Sequence, residues 1–427
     1  METTIMDSID DSAVAGLLGV LREVGIEVDR SPRRLSEYSY DASNYRVRPT
    51  AVAIPRTVDD VRTILRSCTA SGVPATVRGG GTSMAGNAIG TGLIIDLSRW
   101  LASIGSLDAV NGSIWVDAGV VLGELRAHVE KATCGKLTFA PDPSSLTRAT
   151  VGGSIGNDAC GNHSVAYGRM THHVQELEIV TADGAHLIVG RDFLRAVDQS
   201  DIQSVARAQE LQRELKSLVQ TNLAPIRIEL ESIPRQVSGY HLGHLLPENG
   251  FDVSGALSGS EGTCAVVVRA KVGLVSKPAT TVLLCLGYDN TIESARDVVT
   301  ILAAKPSAVE GLDVAIVDIM RHRRGAASVD SLAKGNAFLM VEFPGDTIEQ
   351  ATVACRRLLE KLHAGGRVVD HSIVTDPDER AKLWRVREDG AGLSSRRIDG
   401  VQTGRAGRTR RLPQNASQTI SPTCCPW

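Results

Sequence analysis

The feature that most constrains this chain is a run of glycine and small polar residues, Gly152-Gly153-Ser154-Ile155-Gly156-Asn157-Asp158-Ala159-Cys160-Gly161-Asn162. Glycine loses the most backbone freedom on ordering and packs no side chain, so the run is expected to form neither a regular helix nor a good strand. Backbone of this kind can lie flat against a planar ligand, and that reading is favoured over a purely structural loop. Pro141-Asp142-Pro143-Ser144-Ser145 stands shortly before it.

Two more small-residue loops share the same part of the chain. Arg78-Gly79-Gly80-Gly81-Thr82-Ser83 follows the strand pattern Ala75-Thr76-Val77. Three consecutive glycines permit positive φ angles that can gather N–H groups around an anion, and Thr82, Ser83 and Asn87 add side-chain donors. Alone, this loop is as readily a tight structural turn. Leu257-Ser258-Gly259-Ser260-Glu261-Gly262-Thr263 precedes the apolar run Cys264–Val268 and by itself is a generic turn. No Gly-Lys-Ser/Thr ends the triple glycine, so it is not a triphosphate P-loop. Nor does Gly-x-Gly-x-x-Gly open a clear helix, which leaves a Rossmann dinucleotide site weakly supported.

A length of 427 residues favours two folded units. The pattern supports a division near Pro278. Before it, short β runs (Ala51–Ile54, Leu93–Leu97, Ser113–Asp117, Glu176–Thr181) alternate with helical spacing, and Asp183-Gly184 marks a hairpin leading into His186–Val189. A first helix with Val14, Leu17, Leu18, Leu21 and Val24 ends at Gly25, and residues 196–232 read as mainly helical. After Pro278, strands at 281–286 and 337–342 and helices at 292–304 and 347–363 suit a small α+β unit with an antiparallel sheet. Residues 401–427 carry four arginines and little apolar periodicity, and are expected to form a disordered tail.

Charge excludes some functions. With 46 basic and 49 acidic residues there is no basic footprint for nucleic acid. Eight cysteines without a Cys-x-x-Cys spacing read as reduced thiols, and no metal site is expected. The acidic N-terminus does not suit a signal peptide, and no run of about 18 apolar residues offers a membrane span. The expectation is a cytoplasmic protein with at most peripheral membrane association.

Together the three loops, with Pro49–Val61, Ile94–Leu97 and Tyr167-Gly168, resemble the FAD-binding domain of the vanillyl-alcohol oxidase (PCMH) type. More narrowly, they resemble FAD-linked oxidases of the D-lactate, glycolate and D-2-hydroxyglutarate dehydrogenase branch. The resemblance implies an α+β fold, with a PCMH-type domain of two α+β subdomains at 48–276 after a lead-in at 1–47. A partial ferredoxin-like cap would follow at 277–400. It also implies FAD and hydride transfer from a D-2-hydroxy acid. Arg78, Gly79, Gly80, Gly81, Thr82, Ser83 and Asn87 would hold the pyrophosphate. Pro141, Asp142, Ser144, Gly152, Gly153, Gly156 and Asn157 would line the route from ribityl chain to isoalloxazine. Glu261 and Gly262 would lie on the adenine-ribose side, and Ile179 would offer backbone to the adenine.

For a hydroxy acid, the protein must supply a cation for the carboxylate and a base for the hydroxyl. The segment Leu383–Glu388 resembles one whose arginine anchors the carboxylate, which assigns that role to Arg387, against an exposed helix arginine paired with Glu388 or Asp389. His163 is weighed as facing the flavin against a hydrogen-bonded loop histidine, the latter being favoured; His172 and His173 lie near the same loops. Tyr240 and His241 fall where the family has residues near the substrate. Relatives continue with a histidine-bearing segment and, in the longest, a cysteine-rich iron–sulfur domain. The expectation is therefore a C-terminally truncated member whose electron acceptor is unknown, with an iron–sulfur protein or domain as a possible partner. The alternative is a flavin-binding chain without independent catalysis, or a subunit needing a partner chain.

Overall fold

All four residues of Ala51–Ile54 are buried, which requires apolar cover on both faces of the strand. Alternation supplies it. Ala51, Ala53, Leu93 and Ile95 face the helices Asp11–Glu23 and Val58–Ser71, while Val52, Ile54 and Ile94 pack with Leu35 on the opposite side. Thr57 and Asp60 form a capping box that starts the second helix, and Gly72 at φ +68° ends it in the left-handed conformation. The computed structural model describes residues 10–230, 236 and 239–393, with side chains through Val386.

The chain divides into two compact units. The first comprises the chain to Phe139, Leu146–Ala159 and Arg169–Leu274; the second comprises Ala140–Ser145, Cys160–Gly168 and the chain from Val275. The first unit holds two sheets. One has the order 27–29, 51–54, 93–96, 75–78, parallel except at its first strand. The other has six antiparallel strands in the order 193–196, 186–190, 174–180, 266–273, 113–117, 104–108. The Asp183-Gly184 hairpin is present, with Gly184 at φ +81°. The helix expected across 196–232 is shorter at its start. Phe193–Ala196 is an edge strand, and the long helix runs Ile202–Thr221.

One expectation is overturned. Val151–Asn157 is an α-helix despite its glycines. Thr150 caps it, its side chain accepting from the Gly153 N–H, and Val151 and Ile155 one turn apart are both fully buried. A Cβ at Gly152 would lie 2.7 Å from that of Ala118. Close packing therefore selects glycine there, and burial offsets its propensity cost of about 1 kcal/mol.

In the second unit the sheet order is 308–313, 337–345, 280–288, 368–374, antiparallel throughout. Period-two alternation again divides the faces. Val282, Leu284, Leu286 and Tyr288 pack under the helix Ile348–His363; Leu283 and Cys285 pack with Val317, Met320 and Leu383 from the helices Val314–Arg324 and Pro377–Leu393. No described helix is long and apolar enough to cross a membrane.

Candidate functional site

The triple-glycine loop leaves the end of the strand Ala75–Arg78 at the edge of the parallel sheet. Among the described residues, none of the backbone N–H groups of Gly79, Gly80, Gly81, Thr82 and Ser83 has a hydrogen-bond partner. Five consecutive free donors in a partly exposed loop, with Gly81 at φ +62°, are what an anion nest requires. The Ser83 hydroxyl accepts from the N–H groups of Ala85 and Asn87 and so holds the far side of the loop. The Arg78 side chain reaches toward Tyr38 and Ala88. Its guanidinium lies 5.0 Å over the Tyr38 ring and donates to the Ala88 carbonyl. Tyr38 in turn donates to Asp96.

The loop is pressed against the segment that leads into the glycine-rich helix. A Cβ on Gly80 would sit well inside contact distance of the Arg148 carbonyl oxygen, and one on Gly79 would strike the Thr150 side chain. Gly80 is therefore required first by the protein's own backbone. The third loop closes over the other end of the same helix. The N–H of Gly259 donates to Ile155 and that of Glu261 to Gly156, each at 2.8 Å, and Asn157 Nδ2 donates to Glu261 Oε1 at 2.9 Å. Glu261 takes φ +54° to do so. Asp158 ends the helix at φ +48°, its carboxylate accepting from Thr171 and from Arg169 Nε at 2.6 Å. Burial alone would raise its pKa, but these donors hold it below the usual carboxylate range. Ser154 Oγ is buried in the same helix without a partner.

Beside the third loop lies a cavity of about 340 Å³, lined chiefly by apolar groups such as Leu65, Val77, Val180 and Val266, with Gly262 and Thr263 at its wall. A planar base fits such a slot. A Cβ on Gly262 would meet nothing within 4 Å. Ile179, beside Val180, does not open into solvent. It sits between two neighbouring strands of the six-stranded sheet and is 3% exposed, so its side chain is core.

Pro141, Asp142 and Ser144 belong to the second unit, and Asp142 there makes a constellation that sequence reasoning did not assemble. His163 donates from Nδ1 to Asp142 Oδ2 at 2.6 Å and from Nε2 to Glu342 Oε1 at 2.9 Å. Two carboxylate acceptors call for two ring N–H groups, hence an imidazolium. Burial opposes the charge, but the two carboxylates outweigh it and push the His163 pKa up to about 9. Glu342 is buried, which alone would raise its pKa; donation from His163, Ser307 and Trp384 holds it below the ordinary value. Gly161 packs so closely on Asp142 that a Cβ would overlap its carbonyl and carboxylate. Beside His163, Asn162 Oδ1 is buried without a partner. His163 is thus the hydrogen-bonded loop histidine. The readable signal was Glu342, a lone charge inside Ala337-Phe338-Leu339-Met340-Val341-Glu342-Phe343.

The remaining candidates are dispersed. His172 Nδ1 accepts from the Arg169 N–H, His173 is buried beside Phe139, and the Tyr240 hydroxyl lies 3.0 Å from Thr263 Oγ1. Arg387 falls within the helix Pro377–Leu393, but its side chain, like residues 401–427, lies outside the described residues.

Comparison with known proteins agrees with this geometry. Residues 49–190 match the FAD binding domain, and residues 277–402 match the C-terminal domain of FAD linked oxidases. D-2-hydroxyglutarate dehydrogenase of Pseudomonas putida is 29% identical over 83% of this chain and 36% of its own length. The glycolate oxidase subunit GlcD of Bacillus subtilis is 29% identical over 77% of this chain and 57% of its own. D-lactate dehydrogenase of Archaeoglobus fulgidus is 28% identical over 82% and 66%. The chain thus spans about a third of the length of the D-2-hydroxyglutarate dehydrogenases it matches. In fold it resembles alkyldihydroxyacetonephosphate synthase, with a TM-score of 0.58 at 12% identity over 92% of this chain and 66% of that one. The two family domains, in this order and over more than half of the chain, together with a loop of free amide donors and an adjoining apolar slot, place the protein among the FAD-linked oxidases.

Proposed function

We propose that the chain binds FAD and oxidises a small D-2-hydroxy acid of the lactate, glycolate or 2-hydroxyglutarate class. The observation that carries the cofactor site is the row of five unpartnered N–H groups from Gly79 to Ser83, which suits a diphosphate. Thr82, Ser83 and Asn87 add polar side chains there. Glu261 and Gly262 would flank the ribose, with the base in the apolar slot. Gly152, Gly153, Gly156 and Asn157, together with Pro141, Asp142 and Ser144, would line the remainder of the cofactor. The assignment of 48–276 to cofactor and 277–400 to substrate is part of the same reading. Arg78 opens the same pyrophosphate loop, and the backbone of Ile179, in the strand beside the slot, is the proposed contact to the adenine.

FAD held there would supply the hydride acceptor for the substrate carbon. The chain must anchor the carboxylate and receive the hydroxyl proton. His163 is not the base, because both ring nitrogens already donate to carboxylates. Arg387 is the proposed anchor. Arg387→Ala should raise the KM for a 2-hydroxy acid about tenfold or more, the loss of a charge-assisted pair; an unchanged KM for every acid tried would remove Arg387 from the site. An iron–sulfur protein or domain is a proposed partner. Anaerobic addition of D-lactate or D-2-hydroxyglutarate should bleach the flavin band of the purified protein. A flavin-loaded protein bleached by neither acid would contradict the proposed activity.

A further inference from the structure

The first unit contains a second cavity, a polar one of about 370 Å³, lined by Arg169, Arg191, His241, His244 and Glu248 among others. It shares no residue with the three cofactor loops or the apolar slot. His241 is 4% exposed and donates from Nε2 to the Gln236 carbonyl at 2.8 Å. A carbonyl can only accept, so Nε2 carries the proton and Nδ1 of the neutral ring presents a lone pair. That Nδ1 is buried and has no partner. A buried acceptor of this kind needs a donor, and the described residues supply none.

The charges around the cavity are unequally committed. Arg169 is held by Asp158, and Glu248 is clamped by two bonds from Arg227, at 2.6 and 2.9 Å, that neutralise it. His244 has its pKa pressed down by burial. Arg191 is different. Among the described residues its guanidinium makes no hydrogen bond or ion pair, and its backbone is fixed by a bridge to Asp252. Among the described residues, a free cation and a buried lone pair thus line one cavity, which suits a ligand with an anionic end and a hydroxyl.

We propose that this cavity binds a small hydroxylated carboxylate, its carboxylate on Arg191 and its hydroxyl donating to His241 Nδ1. The site is independent of the flavin reading, because it needs no redox step. Selective labelling of the histidine Cε1–H groups in the full chain tests it by NMR, with D-2-hydroxyglutarate and glutarate as probes. The His241 resonance should shift saturably with D-2-hydroxyglutarate. Glutarate, lacking the hydroxyl, should bind several-fold more weakly, and Arg191→Gln, a surface change, should weaken both about tenfold. Equal affinity for the two acids, a His241 signal that stays still, or an Arg191→Gln protein with unaltered affinity would each overturn the proposal. Flavin content, read separately by absorbance, keeps this outcome distinct from the fate of the flavin reading.

Discussion

His163→Ala should destabilise the chain by about 3 kcal/mol at neutral pH, because it strands two buried carboxylates that now share one imidazolium. The side chains of Asp142 and Glu342 are 11% and 7% exposed, so neither can recover much hydration. The pH dependence has a definite sign. A histidine whose folded pKa is about 9, against an ordinary value near 6.5, contributes its full stabilisation below about 6.5 and loses it as pH rises through 9. Glu342, held low, contributes above its ordinary range and loses that as pH falls. Urea titrations of the native protein should therefore show midpoints falling from about pH 6.5 to 9. His163→Ala should flatten that decline. Equal midpoints for the two proteins at pH 7, with equal slopes against pH, would contradict the ion triad.

The second large effect is expected at the triple glycine. Gly80→Val places a branched side chain against the Arg148 carbonyl, which as backbone cannot swing aside. The loop must move, and the five free N–H groups move with it, so flavin retention should fall below detection in equilibrium dialysis. Gly79→Ala collides with a side chain instead, that of Thr150. Pairing it with Thr150→Gly should restore part of the retention, at the cost of the helix cap. Gly80→Val has no such partner. A Gly80→Val protein that folds by circular dichroism and keeps its flavin would show that this loop does not shape the cofactor site.

The contrast between those two glycines shows what the sequence could and could not reveal. The strand before Arg78 and the glycines after it announce a turn with accessible backbone, and period-two patterning announces the antiparallel sheet of the second unit. Both follow from local rules. The reason Gly80 must lack a Cβ is not local: it is Arg148, 68 residues on. The helix Val151–Asn157 escaped for the same reason, since low propensity is overridden by the depth at which Val151 and Ile155 pack. His163 and Glu342 are 179 residues apart, and only the fold brings them together. A single carboxylate within an apolar strand was the one trace of that pairing. The free Arg191 guanidinium and the open Nδ1 of His241 left no trace, because a missing hydrogen-bond partner is visible only in three dimensions.

The central claim is that the chain holds FAD through the Gly79–Ser83 amides. Its most direct measurement is the visible spectrum of the purified full chain, before and after incubation with FAD and removal of the excess. A stoichiometric flavin band that Gly80→Val abolishes is the expected result. A colourless protein that takes up no FAD would contradict the account.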